Sequence, residues 1–360
     1  MRSIGFQPRG VSAANDGGVK VIVKANNRRI VLTRPVSGVP VTGDFRVIEE
    51  ALPPPAPGQL LVQHIYISLD PYQRPAMAGR HGGAQGPMGA GDMPRAETVG
   101  QVLSSRHAEF SPGQYVRHFG GWQTHSITDG TQTYRVDPKR VPLSTYLGVL
   151  GMPGLTAWAS AVKLADVKEG QTVLVSSAAG PVGATVGQIA MRRGARAVGI
   201  AGSEEKCRLV VKEFGFAACV NYKRADFLAE LRLAVGESAD FYHDNVGGQM
   251  LLDAMSVLKP YGTVVLCGLM SQYNTPEEQR SFNFPLALPI LKRATLKGLV
   301  VYDFEGQRDE FFDAIGPLVA QGRIRYLEDR VQGIERTAEQ FVRLMRGENI
   351  GKALVVVGPE

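Results

Sequence analysis

Residues 173–194 of this 360-residue chain read VLVSSAAGPVGATVGQIAMRRG: a β-branched apolar run, a turn of small residues, then a helical pattern. This strand–turn–helix starts a series. TVLVSS precedes a helix over about 181–193, RAVGIAG a helix around 203–214, and ACVNY an amphipathic stretch at 225–235. ADFYHDNV leads into a helix around 248–258, followed by the apolar run GTVVLCG, a helix near 286–293 and a last strand TLKGLVV. Strands apolar on both faces that alternate with helices predict an α/β fold with a doubly wound parallel sheet, because crossover helices cover both faces of such strands.

The first 150 residues have a different texture. Alternating strands such as QLLVQHIYISL, TVGQVLSS and QYVRHF lie between Pro- and Gly-rich turns, LPPPAPG and GRHGGAQGPMGAGD among them. They predict a second, mainly antiparallel, barrel-like β domain. The end of the chain, RTAEQFVRLMRGENIGKALVVV, supplies one helix and one strand that return to this β domain. The expected division is a flexible extension over 1–25, a β domain over 26–150 and 325–360, and the parallel-sheet domain over 151–324. The Gly-rich segment 79–91 is expected to be mobile, either as a surface connection or as a lid over a cleft.

Composition excludes several classes. With 44% hydrophobic and 21% charged residues, the chain can bury a large core and stay soluble. No apolar run reaches the roughly 18 residues of a membrane span, and the N-terminus lacks the apolar stretch of a secretory signal. The net charge of +6 is scattered in pairs such as Arg28–Arg29 and carries no nucleic-acid-binding pattern, so no nucleic-acid partner is expected. Cys207, Cys219 and Cys267 form no CxxC pair, which fits a reducing, cytoplasmic compartment.

The turn after the first parallel strand points to a ligand. Ala178, Gly180 and Gly183 fill the three positions of a G-x-G-x-x-G dinucleotide fingerprint. Gly180 lets the backbone approach a pyrophosphate, and Gly183 lets helix and strand pack closely. Pro181 falls at the first helical position, where its missing N–H costs nothing and its fixed φ suits the helix. The N–H groups that follow face a phosphate at the positive end of the helix. An NAD site carries Asp or Glu at the end of the next strand. Here GIAGSEEKCR places Gly202 and Ser203 there, with Lys206 one turn later. A small turn with an ammonium accepts a 2′-phosphate that a carboxylate would repel, so the expected cofactor is NADP.

The segments GMPGLTAW (151–158), SSAAGPVGATVGQIA, GIAGSEEKC, VNYK, DNVGG, VVLCGLMSQYN and GENIGK, in this order, resemble the zinc-independent medium-chain dehydrogenases/reductases. More narrowly the chain is similar to the prostaglandin and leukotriene reductase branch, with its alkenal double-bond and curcumin reductases. The resemblance implies a Rossmann domain beside a GroES-like β domain, and a homodimer joined through the last strands of the parallel sheets. It also implies that Gly180, Pro181, Val182 and Gly183 line the pyrophosphate and that Lys206 and Tyr222 contact the 2′-phosphate. Asn245 and the run from Cys267 and Gly268 to Tyr273 would follow the ribose and nicotinamide. Leu299, Val300 and Val301 would edge the nicotinamide, and Asn349 would reach in from the tail. The DPYMR segment of the family stands here as Asp70-Pro71-Tyr72-Gln73-Arg74, with Gln73 in place of methionine. Plain structural roles remain open for Tyr222 and Tyr72 (packing), Cys267 (core) and Asn245 (turn). Thr156 either caps or packs its helix or reaches the nicotinamide amide.

Zinc is not expected. Ser68 and Asp70 stand where zinc dehydrogenases carry a cysteine, Glu97 has no histidine before it, and no cysteine precedes Cys207. His64, His81, His107, His118, His125 and His243 show no ligand spacing. Without a Lewis acid, the expected reaction is reduction of a carbon–carbon double bond conjugated to a carbonyl in a small-molecule substrate. Tyr273 would polarise the carbonyl and Tyr72 would position the enone or relay protons. A quinone reductase on the same scaffold and a non-catalytic NADP-binding module are the alternatives.

Overall fold

The computed structural model describes residues 25–80, 86–276, 279 and 282–360. The expected N-terminal extension lies outside the described residues except for Ala25, which opens the first strand, and so do residues 81–85 of the expected loop. β1 (Ala25–Leu32) and β2 (Phe45–Leu52) pair antiparallel over their full length. β3 (Leu60–Ser68) and a short α1 (Gln73–Met77) follow, then β4 (Thr98–Ser105), β5 (Tyr115–His118), β6 (His125–Thr128) and β7 (Tyr134–Val136). α2 (Met152–Trp158), continued by a π-helical turn over Ala159–Leu164, carries the chain to a second sheet.

That sheet alternates with helices as the periodicity predicts. β8 (Thr172–Ser176), α3 (Pro181–Arg192), β9 (Arg196–Ala201), α4 (Glu204–Phe214), β10 (Ala218–Asn221) and α5 (Phe227–Val235) form one half. β11 (Ala239–Asp244), α6 (Gly248–Ser256), β12 (Leu258–Leu266), α7 (Ala287–Lys292) and β13 (Thr295–Gly298) form the other. α8 (Arg308–Ala320), β14 (Glu328–Gln332), α9 (Thr337–Met345) and β15 (Lys352–Val356) complete the chain.

The six parallel strands lie in the order β10-β9-β8-β11-β12-β13. Counted from β8, this is the 3-2-1-4-5-6 order of a Rossmann sheet. The order reverses between β8 and β11, so the two loops leaving their carboxyl ends diverge and leave a crevice. The expected last strand is shorter than TLKGLVV suggests. β13 ends at Gly298, and Leu299 to Val301 turn out of the sheet.

The other large sheet runs β14-β15-β3-β4-β5-β7, with β6 also pairing with β3. Its pairs are antiparallel except β14–β15. The tail does return to it, since β15 pairs with β3 in the register Leu354–Ser68 and Val356–Tyr66. This brings the GENIGK segment against the end of β3. A shared core binds the sheets together: Tyr66 and Leu147 from the β side pack in one cluster with Trp158, Val175, Val186 and Phe311. Among the described residues no helix is long and apolar enough to cross a membrane.

Candidate active site

A cleft of about 600 Å³, lined mainly by apolar atoms, opens between the two sheets at the reversal point. Its centre is the turn after β8. Ser177 adopts a left-handed conformation at φ 54°, which swings the chain sharply from strand to helix. For a non-glycine residue this costs about 1 kcal/mol. Gly180 is then the N-cap of α3 and Pro181 its first residue, as the sequence predicts. No side chain caps this end. The N–H groups of Val182 and Gly183 have no carbonyl one turn back inside the helix and lie at the cleft wall. The alanine at the first fingerprint position is accommodated by its neighbour: Ala178 packs on β9 at Gly199, where a Cβ would lie 2.7 Å from the Ala178 methyl.

Gly202, Ser203, Lys206 and Tyr222 form a separate cluster at the end of β9. Ser203 caps α4, its Oγ accepting from the Lys206 N–H at 3.2 Å. The Tyr222 ring is half in solvent and rests on Gly202, where an added Cβ would meet it at 3.1 Å. Lys206 Nζ donates to the Gly347 carbonyl at 2.6 Å, tying this cluster to the returning tail. Burial, and next the nearby Lys223 ammonium, pull the Lys206 pKa below the ordinary lysine range. Two ammonium groups that repel each other, one on α4 and one just after β10, suit a dianionic phosphate. The neighbouring Glu204 carboxylate accepts from Asn221 Nδ2 at 3.1 Å.

The remaining candidates line the cleft. Thr156, Asn245, Cys267, Gly268, Leu299, Val300, Val301 and Asn349 all face it, as do Tyr72 and Tyr273. Asn245 is held rigidly at the end of β11. Its Nδ2 donates to the Ser176 carbonyl at 2.8 Å, and its Oδ1 accepts from His243 Nε2 at 3.2 Å. Thr156 does not cap α2, whose N-cap is Gly151. Its hydroxyl donates to the Met152 carbonyl one turn back at 2.8 Å. Burial pushes the Cys267 thiol up to about 12, so it stays protonated at neutral pH. Asn349 is turned by a bond from Nδ2 to the Gly351 carbonyl at 2.9 Å.

Tyr72 and Tyr273 approach from different sheets. Tyr72 begins α1 on the β side; Tyr273 ends a 3₁₀ turn beyond β12, its hydroxyl accepting from the Leu269 N–H at 3.4 Å. Burial is the main cause that raises the pKa of both phenols, reinforced at Tyr72 by Asp70 and Tyr302. Both therefore keep their protons as hydrogen-bond donors.

Below Tyr72 lies a buried ion pair. Lys352 Nζ donates to Asp70 Oδ1 at 2.6 Å and to the Leu69 carbonyl at 2.7 Å, while Ser68 Oγ also bonds Asp70. Removing one member of such a pair typically costs about 3–5 kcal/mol, because the other charge is stranded. Gln73, the departure from the family pattern, is fully used: it donates to the Ser68 and Arg95 carbonyls and accepts from the Asp70 N–H. Ser68 and Asp70 are thus committed to an ammonium and to each other, a donor set unsuited to zinc. Glu97 is likewise paired with Arg117. Among the described residues no group of three or more His, Cys, Asp or Glu side chains could hold a metal ion. A second hollow of about 700 Å³, between β5, β7 and α8, gathers none of the predicted residues.

Sequence reasoning missed Ser177, Arg80, Tyr302 and Lys352, all of which line the cleft. Lys352 sits in GENIGK, where its position after a glycine in a returning strand was a usable signal. Arg80 lies in the Gly-rich segment 79–91, whose reading as a cleft lid pointed to the region but not to the residue, and Tyr302 carried no signal.

Comparison with known proteins places the chain in a family. Residues 28–136 match a domain described as the N-terminal domain of oxidoreductase, and residues 181–319 one described as zinc-binding dehydrogenase. The chain is 36% identical to the NADPH-dependent curcumin reductase of Escherichia coli strain K12 over 93% of its length and 98% of the relative's. The chain belongs to the zinc-independent medium-chain dehydrogenase/reductase family. To this family's prostaglandin reductase 1 of Bos taurus it is 39% identical, over 88% of its own length and 95% of the relative's. Among solved family structures, CurA of Vibrio vulnificus in complex with NADPH superposes with a TM-score of 0.86 at 36% identity. That match covers 92% of this chain and 100% of CurA.

Proposed function

We propose that the chain is an NADPH-dependent reductase of carbon–carbon double bonds conjugated to a carbonyl, with 2-alkenals, enones and 15-oxoprostaglandin-like compounds as its substrate class. Cofactor binding is supported by the fit of the residues. The first turn of α3 offers free N–H groups to a pyrophosphate, Lys206 and Tyr222 offer a 2′-phosphate site, and the rigid Asn245 amide marks the path between. Bound there, NADPH supplies a hydride for the β carbon of the substrate.

The pair of phenols on opposite walls of the cleft carries the reading. Tyr273, beside Cys267 and Gly268, donates to the carbonyl oxygen on which charge builds as the β carbon is reduced. A positioned donor in a site with little water contributes a few kcal/mol to such a step. Tyr72 holds the enone from the β side and passes a proton towards the α carbon through water. Leu299, Val300 and Val301 give the cleft an apolar edge. The test is loss of NADPH absorbance with a panel of enones and alkenals, with quinones and NADH as comparisons. Faster turnover of quinones than of every enone overturns the substrate class. Tight NADPH binding without turnover of any acceptor favours a binding module.

The same reading includes a homodimer. β13 is the outer strand of the parallel sheet, and beside it α7 presents Ile290 and Leu291, each 70% exposed. Pairing two such edges would cover these side chains. A monomer mass by light scattering at micromolar concentration would rule it out.

A further inference from the structure

Arg80 reaches from the β side across the cleft to the segment bearing Tyr273. Its guanidinium donates from Nη2 to the Tyr273 carbonyl at 3.0 Å and from Nη1 to the Thr275 carbonyl at 3.2 Å. The base of Arg80 is stiff. Its N–H donates to the Pro75 carbonyl at 2.8 Å, so it is tied to α1, the helix that Tyr72 begins. Before it, Gly79 at φ 70° passes so close to the backbone of Gly86 and Pro87 that an added Cβ would lie 2.7 Å away.

The Tyr273 segment is held on its other side by its own domain. Met270 N donates to the Asn245 carbonyl at 3.3 Å, and Ser271 Oγ to the Val246 carbonyl at 2.7 Å. Those bonds stop two residues short of Tyr273, whose own bonds, N–H to the Met270 carbonyl at 3.5 Å and hydroxyl accepting from the Leu269 N–H at 3.4 Å, stay within the same turn. Beyond them, the backbone at Tyr273 and Thr275 is gripped by Arg80. One continuous path of short-range geometry therefore runs from the Tyr72 phenol through α1 and Arg80 to the Tyr273 phenol.

We propose that Arg80 is a positioning residue that sets the spacing between the two tyrosines, and with it the width of the slot that receives the enone. The inference rests on the reading of Tyr273 as carbonyl donor. Arg80 acts on the substrate step and not on cofactor binding, because Lys206, Gly183 and Asn245 are held by other bonds. Misplacement of a reacting group by about 1 Å can cost on the order of 100-fold in rate.

The experiment compares wild type, Arg80→Ala, Arg80→Lys, Tyr273→Phe and the double variant Arg80→Ala/Tyr273→Phe in the full chain. Arg80→Ala is expected to lower kcat for an enone at least about tenfold and leave the Kd of NADPH within about twofold. Arg80→Lys, which keeps a cationic donor, recovers part of the loss. In the Tyr273→Phe background, Arg80→Ala should cost less than about twofold, since its effect passes through the phenol. An equal loss in both backgrounds, or an equal loss of NADPH affinity, overturns the proposal. Amide hydrogen exchange over residues 268–276 gives a readout independent of turnover. If wild type reduced no enone, the functional reading would fail by itself, and unchanged exchange in Arg80→Ala and Arg80→Lys would then overturn the positioning role as well.

Discussion

A methyl group added to Gly183 would lie 2.5 Å from the carbonyl oxygen of Ser177, the residue whose left-handed turn leads from β8 into α3. The contact is backbone to backbone, so no side-chain rotation relieves it. Gly180, by contrast, has 3.2 Å between its added Cβ and the same oxygen. Gly183→Ala is expected to shift α3, lower stability by about 1–3 kcal/mol and weaken NADPH binding. Gly180→Ala should fold normally and weaken binding alone. Urea unfolding and cofactor titration of the two variants separate these outcomes. Equal stability for both would contradict the packing argument.

Lys206 and Lys223 form the charged end of the proposed cofactor path. Lys206→Ala should weaken NADPH binding by about 10- to 100-fold, the worth of one charge-assisted hydrogen bond to phosphate. NADH lacks the 2′-phosphate, so its Kd should change less than about twofold. Fluorescence titration with both cofactors measures the ratio. An unchanged ratio would move the phosphate site elsewhere.

Tyr273→Phe removes a hydroxyl and little else. If that hydroxyl stabilises charge on the substrate carbonyl, kcat for enones should fall by about 100-fold, with NADPH affinity unchanged. Steady-state kinetics with saturating cofactor decides it. A variant as fast as wild type assigns the donor role to another group.

Buried histidines make the fold sensitive to mild acid. Burial lowers the pKa of His118 and His243 to about 4, and holds His64 well below its usual value, with His118 adding to the effect. His64 Nε2 lies 3.2 Å from His118 Nε2 and 2.8 Å from Ser126 Oγ, so the barrel interior has no room for a second proton. The unfolded chain binds protons at His118 and His243 near the ordinary value of 6.5; the folded chain does not until about 4. Stability therefore falls as pH drops from 6.5 towards 4, by on the order of 3 kcal/mol for each of these two histidines. Burial raises the carboxyls of Glu97 and Asp244, which oppose this trend as pH falls, so comparison with a histidine variant isolates the imidazole contribution. Urea midpoints between pH 7 and 5 should decline, and His118→Gln should flatten the decline. A flat wild-type profile would contradict the assignment.

Elements whose cause is local are legible in the residues alone. Gly180, Pro181 and Gly183 specify a strand-to-helix turn because φ preferences and missing atoms act within a few residues. Ser203, with Gly202 before it and Lys206 one turn on, specifies the start of α4 and the sign of the charge beside it. The alternation of apolar strands with helices specifies a parallel sheet, since burial on both faces is written into each strand. Tertiary structure decided what depends on chain crossings. It made Asp70 the partner of Lys352, 282 residues away, by pairing β15 with β3. It excused Ala178 from being glycine by placing Gly199 opposite, and it used the Thr156 hydroxyl within its own helix instead of at a cap. It also brought Arg80 and Tyr302 to the cleft, where no periodicity marked them. The reason is that periodicity records which face of an element is buried but not which residue of a distant element will meet it.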